Sequence, residues 1–364
     1  MSVADQDDAA HPERRRRPDE PGQRSQAEPS SLAATTPPRS RGSRLARAAA
    51  LCALALLTVE LALVVVFNAA GKGRGMELHP DYGWRMRPSI ARSGDMWGGE
   101  RPARTNSAGW RDRERAREAA PEVVRAAVVG DSFTFGVGAD DGERFTDVLD
   151  GRREDLEVLN FGVNGFGTDQ ELCVLREEAL GYDPEIVVCA SYLGNDLKDI
   201  VHSFRHRWPK PHFRLVDGAL VHHPPQPSVA VRMRSACYLG EAAAVVLDRL
   251  GQGTPAVREP IEDPEALYLA LIAEMRRRCE ERGARFLVML VHDPSIDGAV
   301  KARVAAALAA AGTATLDLTP AFEAAAGAQH FNPPPVAHWN AAGHAVVADA
   351  LERDLGARGW IEAR

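Results

Sequence analysis

Beyond Arg125 the chain alternates between short apolar runs and longer amphipathic stretches. The apolar runs predict strands at 126–129, 156–161, 185–190, 285–291 and 313–318. The run at 185–190 is apolar without alternation, the pattern of a strand buried on both faces. Apolar positions at helical spacing predict helices at 143–150, 169–180, 264–282, 299–311 and 341–355. In the second of these Leu172, Leu175 and Ala179 share one face. Strands that alternate with helices predict an α/β fold, with parallel strands, right-handed crossovers and helices on both faces.

Two intervals break this rhythm. Residues 200–263 contain no clean strand–helix unit; instead 212–216 and 219–223 flank Asp217-Gly218, a hairpin signal, and a helix follows at 241–250. This is read as an insertion beside the carboxyl edge of the sheet, a lid or substrate wall. It holds His202, His206, His212, His222 and His223, whose spacings match no metal motif, so neither a metal nor a cofactor is expected.

The second interval is the N-terminal region. Residues 1–47 are rich in Pro, Ser, Arg and Glu and carry almost no large apolar side chain, which predicts a disordered basic tail. Residues 48–70, AAALCALALLTVELALVVVFNAA, are long enough to cross roughly 30 Å of hydrocarbon as a helix. Glu60 interrupts the run and costs roughly 2–3 kcal/mol if ionised at mid-depth. The run ends without a good cleavage site, so it reads as a signal anchor. Arginines before it outnumber Lys72 and Arg74 after it, which keeps the N-terminus cytoplasmic and places everything beyond residue 75 outside the membrane. Residues 71–124 form a linker and lead-in, with Trp84, Trp97 and Trp110 as covers over the sheet edge and 106–112 (NSAGWRD) as an ordered turn. Residues 125–364 form the folded α/β domain.

The net charge of -7 gives no sign of a nucleic-acid binder, and no nucleic-acid partner is expected. Five cysteines without a CxxC pair argue against a zinc or redox site, and only Cys237 and Cys279 are placed for a disulfide.

The chemistry lies at the ends of the predicted strands. Gly130-Asp131-Ser132 turns abruptly from strand to helix. Alone, Ser132 could be a helix cap. Further polar clusters follow the second, third and fifth strands: NFGVNGFGT around Gly165, GND around Asn195, and HWNAAGH from His338. Parallel strands bring these edges together. A serine becomes a nucleophile when an imidazole takes its proton, and the tetrahedral intermediate needs donors aimed at its oxyanion. The backbone N–H of Ser132, that of Gly165 and the amide of Asn195 supply three donors. Among the other polar residues, Asp131 is expected to brace the serine turn, Asp196 to cap the helix after Asn195, and Asp317 to end a strand. Asn340 is read as the cap of the last helix, Trp339 as packing and His344 as structural.

Taken in order, GDSFTFG, NFGVNGFG, GND and HWNAAGH resemble the four signature blocks of the SGNH (GDSL-like) hydrolases. The resemblance spans roughly residues 106–357, and it is closest to membrane-anchored or exported bacterial members. It implies a flavodoxin-like three-layer α/β/α sandwich with a mostly parallel five-stranded sheet. It also implies ester hydrolysis without a metal, with Ser132 as nucleophile, Gly165 and Asn195 completing the oxyanion hole, and His338 as general base.

The sequence departs from the family at one point. The aspartate that usually stands two or three residues before the histidine is replaced by Val336 and Pro335. Three readings stay open. A backbone carbonyl holds the imidazole in a Ser132–His338 dyad; Asp293 or Asp297 reaches it; or the protein is catalytically weak and binds. The function expected is a serine esterase or deacylase acting on an acyl ester, O-acetyl by preference, of a cell-envelope glycan or small substrate. The alternatives are an O-acyltransferase module on envelope polysaccharide and a glycan-binding module.

Overall fold

The computed structural model describes residues 41–70, 74–92, 103–205, 208–250, 263–325, 329–334 and 336–363. Trp97, His206, Pro335 and residues 1–40 of the predicted tail lie outside them. The chain divides into two units, Met1–Ala53 and Leu54–Arg364.

Helix α1 (Arg41–Ala69) is long and apolar enough to cross a membrane, and none of it is buried. It begins at Arg41, so residues 41–47, expected as disordered tail, are helical. Arg, Leu and Ala are strong helix formers, and they extend the helix N-terminally beyond the apolar run.

After α1 come two antiparallel ribbons, β1 (Met76–His79) with β2 (Gly83–Met86) and β3 (Ala91–Arg92) with β4 (Ala103–Arg104). Strand β5 (Val124–Gly130) follows, then α2 (Ser132–Phe135), α3 (Phe145–Arg152), β6 (Leu156–Gly162), α4 (Thr168–Glu177), β7 (Ile186–Ser191) and α5 (Asp196–Asp199). The inserted region carries β8 (Phe204–Arg205), β9 (Trp208–Pro209), β10 (His212–Val216), β11 (Ala219–His223), α6 (Val229–Ala236) and α7 (Tyr238–Arg249). The chain closes with α8 (Pro264–Glu280), β12 (Arg285–Leu290), α9 (Gly298–Ala310), β13 (Ala314–Asp317), α10 (Thr319–Ala324) and α11 (Ala341–Ala357).

The central sheet runs β13-β12-β7-β5-β6, with every pairing parallel. Counted within the sheet this is the order 2-1-3-4-5, the doubly wound flavodoxin-like arrangement. Alternation along each strand divides the core. Ala127, Val129, Val187, Cys189, Val288 and Leu290 face a cluster with Leu172, Leu175, Leu271 and Val304. Ala126, Val128, Val188, Leu287 and Met289 face Phe145, Leu149, Val347 and Leu351. Helices α4, α8 and α9 thus cover one face, and α3 and α11 the other.

Trp84 and Trp110 are buried, with their rings edge-on to Phe166 at 5.2 Å and Phe161 at 5.0 Å. All five cysteines are free; Cys279 is a core residue, which removes the candidate disulfide. In the insertion, Asp217 and Gly218 both take positive φ, as a two-residue hairpin turn requires. The β10–β11 hairpin packs against α4 and α8. Helix α6 was not predicted; it starts where the Ser228 hydroxyl accepts from the Val231 N–H.

Candidate active site

Strand β5 ends at Gly130. A Cβ there would lie 2.2 Å from Thr134 Oγ1 and 3.1 Å from Ala190 O, so only glycine lets the chain turn this close to β7. Asp131 is the cap of α2: its Oδ1 accepts the Phe133 N–H at 2.9 Å. That leaves Ser132 as the first helical residue, buried but free of capping duty.

The loop after α2 is fixed from outside. The buried Arg111 guanidinium donates to Gly136 O at 2.6 Å and to Ala139 O at 2.8 Å, and burial pushes its pKa down to about 10. Arg111 lies in the NSAGWRD turn, where Asn106 Oδ1 accepts from the Trp110 and Ala108 N–H groups.

His338 sits in the segment leading to α11, whose cap is Asn340 Oδ1, accepting from Gly343 N–H at 3.0 Å. Asn332 ties this segment to the serine loop. Its backbone N–H donates to His338 O at 2.7 Å, and its amide donates to Gly138 O at 3.2 Å and Trp339 O at 3.1 Å. Phe133 supports the imidazole with ring centroids 4.7 Å apart, and packs on buried Trp339 at 4.6 Å.

The imidazole joins two partners. Nε2 is 2.7 Å from Ser132 Oγ, and Nδ1 is 2.5 Å from the Val336 carbonyl oxygen. A carbonyl can only accept, so Nδ1 carries the proton and Nε2 offers its lone pair to the serine hydroxyl. Ala337, with a φ of 48°, is left-handed, and this unusual turn aims the Val336 carbonyl back at the ring. The two aspartates considered as substitutes are engaged elsewhere. Asp293 accepts from Tyr192 OH at 3.2 Å and Ser295 N–H at 2.7 Å, and Asp297 caps α9 through Ala299 N–H at 2.8 Å.

Gly165 follows β6 with a φ of 82°, a conformation that glycine adopts without strain. Asn195 caps no helix with its side chain. Its Nδ2 donates to Asp131 Oδ2 at 3.1 Å and to Phe166 O at 3.3 Å. That one amide therefore touches both the serine turn and the Gly165 loop, and its Oδ1 is buried without a hydrogen-bond partner.

Asp196 differs from expectation. It is the first residue of α5 and caps nothing; its Oδ2 accepts from the Ser191 hydroxyl at 2.7 Å, beneath the site. Burial, with the Asp131 carboxyl beside it, pushes its pKa up to about 8. Burial likewise pushes Asp131 up to about 6 against the Phe133 N–H and His338. The folded state therefore holds protons that the unfolded chain releases near pH 4, and stability falls as pH rises from there through about 8. Asp196→Asn keeps an acceptor for Ser191 and removes the titration. Chemical denaturation at pH 5 and pH 8.5 should show a smaller difference in midpoint for the variant than for the parent chain.

His344 is buried beside Phe145, and its Nδ1 accepts the Phe145 N–H at 3.2 Å. Burial pushes its pKa down to about 3, so it stays neutral and structural. Among the described residues no three His, Cys, Asp or Glu side chains gather as a metal site. The histidines of the β10–β11 hairpin stack instead, His212 on His223 at 4.6 Å and His222 on Phe213 at 4.7 Å.

No protein-family model matches the chain, and no curated protein does. Solved structures with a similar backbone include TesA, at 18% identity over 64% of this chain and 97% of that chain, with a TM-score of 0.40. Another is a lipolytic protein of the G-D-S-L family from Desulfitobacterium hafniense, at 13% identity over 64% and 99%, TM-score 0.40. A third is a catalytic mutant of Axe2, an acetylxylan esterase from Geobacillus stearothermophilus, at 13% identity over 66% and 97%, TM-score 0.37.

Proposed function

We propose that the protein is a membrane-anchored serine ester hydrolase. It works through a Ser132–His338 dyad on an acyl ester, O-acetyl by preference, of an extracytoplasmic glycan. The observation that carries the reading is the contact of Ser132 Oγ with His338 Nε2 at 2.7 Å, with Nδ1 held by the Val336 carbonyl. In the forward step Oγ attacks the ester carbonyl carbon while its proton passes to Nε2. The carbonyl oxygen becomes an oxyanion beside the N–H groups of Ser132 and Gly165. Asn195 joins as a donor by exchanging its bond to Asp131 or to Phe166 O. Collapse expels the alcohol, which takes the proton from Nε2 and leaves an acyl-serine. Water then repeats the sequence and releases the acid.

The glycan assignment rests on tethering. An enzyme fixed to the membrane by α1, with its N-terminus in the cytoplasm, meets polymers of the cell envelope at high local concentration. Fluorophosphonates need an activated serine hydroxyl but no particular substrate, so they test the site directly. The full chain in detergent should take up one fluorophosphonate group, located to Ser132 by peptide mass spectrometry, and should hydrolyse a short-chain aryl acetate. A chain that binds envelope saccharide but neither labels nor hydrolyses would replace the enzyme with a binding module.

A further inference from the structure

The apolar run 48–67 has 20 residues, just enough to cross roughly 30 Å of hydrocarbon. Arg44 and Arg47 stand before it and Asn68 after it. With the run in register, Glu60 lies seven residues from Phe67, about 10 Å of helical rise below the outer polar boundary. Raising Glu60 into water would draw Arg47 and Arg44 into the hydrocarbon. A carboxylate at that depth needs partners, and the structure supplies them from far along the chain. Glu60 accepts from Tyr238 N–H at 2.8 Å and from Leu239 N–H at 2.9 Å, the first turn of α7. The Tyr238 ring stacks on Phe67 with centroids 5.0 Å apart, and its hydroxyl accepts from Arg74 N–H at 3.2 Å. Along 54–70 only Glu60, Leu63 and Val64 are partly covered, and with Phe67 they form one stripe of the helix.

If Glu60 is within the bilayer, the start of α7 is there with it. The surface of the α6–α7 pair fits that placement. Val229, Met233 and Val246, on two helices that pack on each other, and Leu250, just past the end of α7, are exposed, between 40% and 74%. Exposed Arg232, Glu241 and Arg249 supply a polar border. We propose that the α6–α7 pair is a second membrane element, lying in the outer interfacial zone beside the anchor, with Val229, Met233, Val246 and Leu250 in lipid and Glu60 as the cap that docks it. The proposal rests on the reading of α1 as an anchor. It gives the domain two attachments to the bilayer, the anchor and the α6–α7 pair.

Depth-dependent quenching tests this. The full chain, with Cys52 and Cys237 changed to Ser, is reconstituted in vesicles of phosphatidylcholine and phosphatidylglycerol containing spin-labelled acyl chains. An environment-sensitive fluorophore is placed in turn at Val246→Cys, Leu250→Cys, Leu56→Cys and Val216→Cys, the last at the exposed end of β10. Quenching at 246 and 250 should exceed that at 216 by about threefold and be strongest for labels near the headgroups, while 56 responds to labels deep in the chains. Glu60→Leu in the same background should lower the quenching at 246 and leave that at 56. Quenching at 56 without quenching at 246 or 250 overturns the second element and leaves the anchor. Quenching at none of the sites overturns both.

Discussion

Changing His338 to Ala is expected to lower kcat for a short-chain aryl acetate by about four to six orders of magnitude, and Ser132→Ala by a similar factor. Each removes half of one proton-transfer pair. In the His338 variant Oγ keeps a pKa far above neutrality and loses the imidazole nitrogen 2.7 Å away, leaving it only the more distant Asp131 carboxyl at 3.5 Å among the described residues. The double variant should be no slower than either single one, because a serine without its base and a base without its serine are equally idle. Burst kinetics and initial rates for the three variants, with circular dichroism to verify folding, check this. If His338→Ala instead costs less than about tenfold, the base is some other group and the dyad fails.

The carbonyl partner of His338 Nδ1, in place of a carboxylate, sharpens the expectation. An aspartate in that place does two things: it fixes the tautomer and stabilises the imidazolium. The Val336 carbonyl can do the first fully, since it accepts and cannot donate. For the second it offers a dipole where a carboxylate would offer a full charge.

The fold was legible in the sequence because its signals are local. The five sheet strands fall within about two residues of the apolar runs, and Asp217-Gly218 marks its hairpin turn. Three of the four polar clusters were legible for the same reason, since each directly follows a strand of the parallel sheet, whereas α10 stands between β13 and the His338 cluster. What was not legible acts over long distance. Arg111 lies in a segment that reads only as an ordered turn, yet its guanidinium clamps the loop after α2. Asn332 looks like one polar residue in a proline-rich run, but bridges the histidine and serine loops. Nothing near Glu60 in sequence says that Tyr238 and Leu239 satisfy it. The turn at Ala337 was hidden too, because a positive φ at alanine leaves no trace in composition.

Removing either half of the buried pair between Lys210 and Asp169 should destabilise the domain by about 3–5 kcal/mol, because the partner is left as an uncompensated buried charge. Neither side chain has any exposure, and Lys210 Nζ also donates to Asp199 O at 3.0 Å and His202 O at 3.2 Å. Burial pushes the amine down and the carboxyl up; each opposes the other's shift. The placement bears on the site as well. Asp169 opens α4 directly after the Gly165 loop, and Asp199 closes α5 directly after Asn195. One ammonium from the insertion thus pins both segments that carry the proposed oxyanion donors. Lys210→Met should lower the urea midpoint and, at temperatures where the variant remains folded, also lower kcat with KM little changed. Pairing it with Asp169→Leu removes the stranded carboxylate and should recover most of the stability. It should not recover kcat, since the ammonium that ties α4 to α5 is then gone. Recovery of both together would mean that the pair serves stability alone.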